Sequence, residues 1–235
     1  MKRNNITIAA TAVVALLFLL TVGAPHASAD TFTFTSCHIT GSACEGGSVP
    51  SGFGTVTLTQ SGTSVNFDVV LSNGNRFVET GAGGNSLFLF NDTVSGSTVT
   101  SVTTTLNGAT VTVISGGVSG ATNQPAIMAD GTGTFTAQVF CTVASDCNGG
   151  SAPNINDLHF TVTNATLLQL ETANGNGNLF VADILCGLTQ TGCTNGLTGP
   201  VDVSTPPSVP DGGMTLMLLG GALVGLETLR RKFRV

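Results

Sequence analysis

The chain has 235 residues, a net charge of −6, 31 glycines, six cysteines and neither Trp nor Tyr. Lys2, Arg3, Arg230, Arg231, Lys232 and Arg234 sit at its two ends, so Arg76 is the one basic residue between Asp30 and Ser208, against eleven acidic ones. A body of about −10 excludes nucleic acid and anionic lipid as partners, because there is no basic patch to neutralise phosphate.

The N-terminus reads as a targeting segment. Lys2 and Arg3 precede the apolar run Ile8 to Val22, and Ala27-Ser28-Ala29 fits the small-residue cleavage pattern. Residues 1–29 are therefore expected to be a signal peptide cut before Asp30, with an uncleaved N-terminal anchor as the alternative.

Residues 30–195 read as one domain, long enough to bury a sizeable core. Apolar and polar residues alternate at period two in Thr31–Thr35, Thr55–Thr59, Ser64–Leu71, Arg76–Thr80, Ser86–Phe90 and Thr132–Phe140. Each predicts a strand with one face inward and Thr, Ser or Asn outward. Ser61-Gly62, Asn73-Gly74 and Asn107-Gly108 supply turn chemistry, the last between Thr98–Leu106 and Ala109–Ile114. Thr166-Leu167-Leu168-Gln169 opens like a capping box and Asn174-Gly175 closes it, which predicts one short helix between Leu158–Thr163 and Leu179–Leu185. Its leucines are expected to plug one end of the core. The fold class is all-β: a single antiparallel β-sandwich, jelly-roll-like, with one short helix.

The cysteines form three close pairs, Cys37/Cys44, Cys141/Cys147 and Cys186/Cys193. An even count in an exported chain implies disulfides, and although six cysteines allow 15 connectivities, the Gly, Ser or Asn in or beside each pair favours three local loops. A metal or redox site is the competing reading, disfavoured by spacings wider than C-x-x-C and by His38 being the only histidine near a pair.

No chemistry stands out in the body. His38 and His159 lie in no nucleophile or zinc motif. Asn154-Ile155-Asn156-Asp157-Leu158-His159 is the most polar cluster, with Asp157 and His159 on one strand face. A calcium or substrate site and a plain Asn/Asp-capped turn are both open readings there. Without Trp or Tyr a sugar-stacking platform is disfavoured. The protein is read as no enzyme, with no cofactor.

Residues 196–208 lack a strand period and hold Pro200, Pro206 and Pro207, so they read as a flexible, exposed tether. The sequence then ends in three parts: Val209-Pro210-Asp211-Gly212-Gly213, the apolar run Met214 to Leu229, and Arg230-Arg231-Lys232-Phe233-Arg234. A helix over that run of about 16 residues reaches roughly 24 Å at about 1.5 Å per residue, short of the ~30 Å hydrocarbon core. The basic cluster is expected to stay inside as a stop, leaving everything before Met214 outside. Pro210, Gly212 and Gly213 keep the motif itself out of the helix and extended, as a processing enzyme requires.

This order of parts resembles the PEP-CTERM sorting class of Gram-negative bacteria, over roughly the last 27 residues (209–235). The resemblance implies recognition by an exosortase, a membrane-embedded cysteine transpeptidase-like enzyme, with the inner membrane as an intermediate and the cell surface or the medium as destination. Such proteins occur in bacteria that make exopolysaccharide and biofilm matrix, which makes matrix polymer a possible partner. The usual motif is Val-Pro-Glu-Pro; here Asp211 stands for the Glu and Gly212 for the second Pro. The body is accordingly expected to be an envelope or matrix structural or interaction protein, with a secreted glycan- or calcium-binding module as the alternative.

Overall fold

The computed structural model describes residues 28–80, 85–106, 109–110, 118–143, 145, 147–148, 155–204 and 220. The strands in chain order are β1 (Ala29–Thr33), β2 (Ser36–Cys37), β3 (Gly47–Ser48), β4 (Gly54–Ser61), β5 (Ser64–Leu71), β6 (Arg76–Phe77), β7 (Ser86–Phe90), β8 (Thr98–Leu106), β9 (Ala109–Thr110), β10 (Val118–Ala121), β11 (Ile127–Ala129), β12 (Gly133–Phe135), β13 (Ala137–Cys141), β14 (Asp157–Thr163), β15 (Phe180–Leu185) and β16 (Thr198–Val203). One six-stranded sheet runs β1-β4-β5-β14-β8-β9. A larger one runs β10-β13-β7-β15-β16-β2-β3, with β6 also paired to β15. Every ladder between named strands is antiparallel.

The two sheets share one core. Phe32, Phe67 and Phe160 of the six-stranded sheet meet Phe88, Phe90 and Phe180 of the larger one. Phe67 stacks on Phe160 at 4.5 Å between ring centres, and Phe32 meets Phe180 edge-on at 5.0 Å. Such pairs add to burial, which is the main stabilising term for aromatic side chains. In β4 and β5 the alternation is clean, with Val56, Leu58, Val65, Phe67 and Val69 inward and Thr57, Asn66 and Asp68 outward. β7 is buried at all five positions instead, because the hairpin β11–β12 covers the far side of its sheet. Leu89 and Val181 pack there against Ala129 and Phe135. That third layer explains why β7 and β15 are apolar runs rather than alternating ones.

Turn residues act where expected. Asn73 and Gly74 both take the left-handed conformation (φ 57° and 75°), the pair of positive angles that a type I′ turn needs. The helix Leu167–Leu170 starts after Thr166, whose N–H donates to Gln169 Oε1 (2.9 Å). Leu167 N–H donates to Gln60 Oε1 (3.0 Å), which seats the helix at the β4 end. Leu167 and Leu170 enter the core, while Leu168 is 83% exposed and plugs nothing.

Three sequence readings change. Thr132–Phe140 is two strands, β12 and β13, in different sheets. Arg76–Thr80 pairs as a strand only over Arg76–Phe77. Most important, residues 196–208 are not an exposed tether throughout: Thr198–Val203 is β16, buried at all but its first position and paired with β15 and β2. Gly199-Pro200 reads as a break and cuts its apolar pattern down to Val201 and Val203, either side of the buried Asp202. Asn107-Gly108, Asn154 and most of Ala109–Ile114 lie outside the described residues, as do residues 1–27 of the signal segment, 205–208 of the tether, the motif Val209–Gly213, the run Met214–Leu229 apart from Gly220, and Arg230–Lys232.

Candidate functional site

The three disulfides join Cys37–Cys44, Cys141–Cys147 and Cys186–Cys193, each closing a short loop. The first and third flank the C-terminal exit. Cys37 pairs in register with Val201 of β16, and Cys186 N–H donates to Leu197 O (2.8 Å) just before that strand. Within β16, Asp202 is 1% exposed, and His38 Nε2 lies 2.6 Å from its Oδ2. Burial raises the Asp202 carboxyl above the usual range, and the charge and hydrogen bond of His38 oppose that rise. His38 thus acts as the counter-group to a buried carboxylate. No metal is needed to explain its place beside Cys37.

A concavity lies elsewhere, on the outer face of the six-stranded sheet. β5 and β14 put Asp68 opposite His159 and Asn66 opposite Thr161. His159 Nδ1 lies 3.0 Å from Asp68 Oδ1, with both side chains substantially exposed. Thr161 Oγ1 donates to Asn66 Oδ1 (2.9 Å). In β8 the register against β14 slips between His159 and Thr161, so that two residues, Ser101 and Val102, face one. Ser101 carries φ 55°, a left-handed angle that costs a non-glycine residue about 1 kcal/mol. This β-bulge keeps Val102 on the core and turns Ser101 outward beside Thr100. The result is a shallow depression of about 270 Å³, lined by Asn66, Asp68, Ser101, His159, Thr161 and Thr59.

Asp157 and His159 do occupy one strand, but they do different things. Asp157 is buried and accepts from Thr105 Oγ1 (2.6 Å), while His159 turns to Asp68. The partner of His159 is 91 residues away in sequence and becomes visible only through register. Among the described residues, no three His, Cys, Asp or Glu side chains are grouped to hold a metal.

Glu171, at the end of the short helix, is the other unusual acid. Burial, then a hydrogen bond to Asp30 and the charge of that residue, raise its carboxyl to about 7. Its Oε1 is buried without a hydrogen-bond partner.

With β16 ending at Val203, the chain has 32 residues left. Residues 208–233 match the VPDSG-CTERM motif. This is a PEP-CTERM-like sorting signal, consistent with an exported, cell-surface protein. The motif's own third residue is Asp, as Asp211 is here, and Gly212 stands where it has Ser. No curated protein and no solved structure matches the chain.

Proposed function

We propose that the chain is an exported structural or interaction protein of the cell envelope or extracellular matrix, sorted at its C-terminus by an exosortase. The observation that carries this is the match of residues 208–233 to a sorting motif, placed directly after the last strand of a disulfide-braced β domain. On this reading the two sheets form a β-sandwich, Met214–Leu229 spans the inner membrane transiently, and Arg230-Arg231-Lys232 holds the tail inside. The exosortase cleaves near Val209–Gly213 and frees the domain for the surface or the matrix. The body's role is contact rather than catalysis.

The tests are Pro210→Ala and Asp211→Ala. Both variants should retain their C-terminus and stay in the inner-membrane fraction. Processing and release like the parent chain would overturn the sorting role. A second reading, ligand binding by the same domain, draws support from the depression around Asp68 and His159.

A further inference from the structure

We propose that the outer face of the six-stranded sheet binds a neutral polysaccharide, seating one sugar unit in the depression between Asn66, Asp68, Ser101 and His159. The surrounding face is a lattice of side chains that donate and accept. One cross-strand row reads Thr31, Thr57, Asp68, His159, Thr103 and the next reads Thr59, Asn66, Thr161, Thr100. Neighbours along a row stand about 4.8 Å apart, the spacing of strands in a sheet.

A solvated β face would also be polar, but three features go beyond that. The face is concave at its centre, where a plain sheet is smooth. At the rim of the hollow a bulge holds Ser101 in a left-handed conformation and adds this residue to the lining. The hollow also keeps unspent hydrogen-bonding capacity. Asn66 Oδ1 is taken by Thr161 and Asp68 Oδ1 by His159, yet Asn66 Nδ2, Asp68 Oδ2, His159 Nε2 and Ser101 Oγ have no partner among the described residues. This mixture suits hydroxyls, which donate and accept at once.

The charge decides among ligand classes. A sulfated or uronic polymer meets Asp68 and a body with one basic residue against eleven acidic ones, so anions are repelled. Asp68 is the single acidic side chain lining the hollow, and among the described residues no group of three possible ligands could hold a metal ion, so a cation has too few oxygens there. A volume of about 270 Å³ lies just below the ~300–1,000 Å³ of drug-sized pockets. It suits one sugar ring of a chain that continues over the threonine rows. Without an aromatic platform each sugar binds weakly, so a polymer gains its hold through many contacts.

The inference rests on the reading of the chain as an exported interaction protein. Its test is independent of sorting, because it uses the purified protein whatever its final location. Cellohexaose and maltohexaose are titrated while backbone amide NMR shifts are followed, with dextran sulfate as the anionic comparison. At least one neutral hexasaccharide should shift Asn66, Asp68, Ser101 and His159, and dextran sulfate should not. Ser101→Gly, which also relieves the left-handed angle, and Asn66→Ala should each weaken binding about tenfold while the rest of the spectrum is unchanged. No shift with either neutral probe would overturn the proposal, and so would equal affinity in both variants.

Discussion

His38 Nε2 lies 2.6 Å from Asp202 Oδ2, and this contact ties the first disulfide loop to the last strand before the sorting tail. A carboxylate as buried as Asp202 is costly to ionise, and His38 supplies the compensating donor and charge. Removing one partner of such a pair leaves the other uncompensated. His38→Ala should therefore destabilise the domain by about 3 kcal/mol at neutral pH. The sign of its pH dependence follows from Asp202. Its folded carboxyl titrates above the ordinary value, so the folded state holds the extra proton and stability falls as pH rises through that range. Without His38 the fall should steepen. Urea unfolding at several pH values reads both effects.

Glu171 and Asp30 make a second pH-dependent contact. In the unfolded chain the Glu171 carboxyl ionises near 4.5, whereas in the fold it keeps its proton to about 7. Between those values the folded state binds more protons. The contribution is thus fully present below about 4.5 and is lost as pH rises toward about 7. Glu171→Gln should flatten this slope, as measured by thermal unfolding across that window. A chain cut before Asp30 also places its new α-ammonium beside both carboxylates, and should show a shallower slope than one that keeps Ala29.

Backbone approach is tight where the third disulfide loop meets the Asn73-Gly74 turn. A Cβ on Gly187 would come within 2.2 Å of Gly74 C and 2.4 Å of Asn73 O, and Gly187 N–H donates to Asn75 Oδ1 (2.9 Å). Gly187→Ala should cost about 1–3 kcal/mol by forcing the loop off the turn. Gly175, whose Cβ would meet nothing within 4 Å, is the control and should tolerate Ala with little change in Tm.

How far the sequence discloses all this depends on whether the signal is local. Most of the period-two strands, the Thr166–Gln169 helix start and the three close cysteine pairs are local patterns, and they reappear in the fold, whereas Thr132–Phe140 divides between two sheets and Arg76–Thr80 shortens to Arg76–Phe77. β16 is hidden because Gly199 and Pro200 read as breakers and leave Val201-Asp202-Val203 as its only alternation, too short a run to mark a strand. Val99 and Val102 are three apart, against period two, and only the bulge at Ser101 reconciles them with one inward face. The pair of Asp68 with His159 depends on strand order and register. No spacing within the chain encodes it.

On the proposed reading the sorting tail is removed. Intact-mass measurement of the protein recovered from the cell surface or medium tests it most directly. The recovered chain should end near Val209–Gly213 and lack Met214–Val235. A surface-exposed protein whose mass still includes Arg230–Val235 would contradict it.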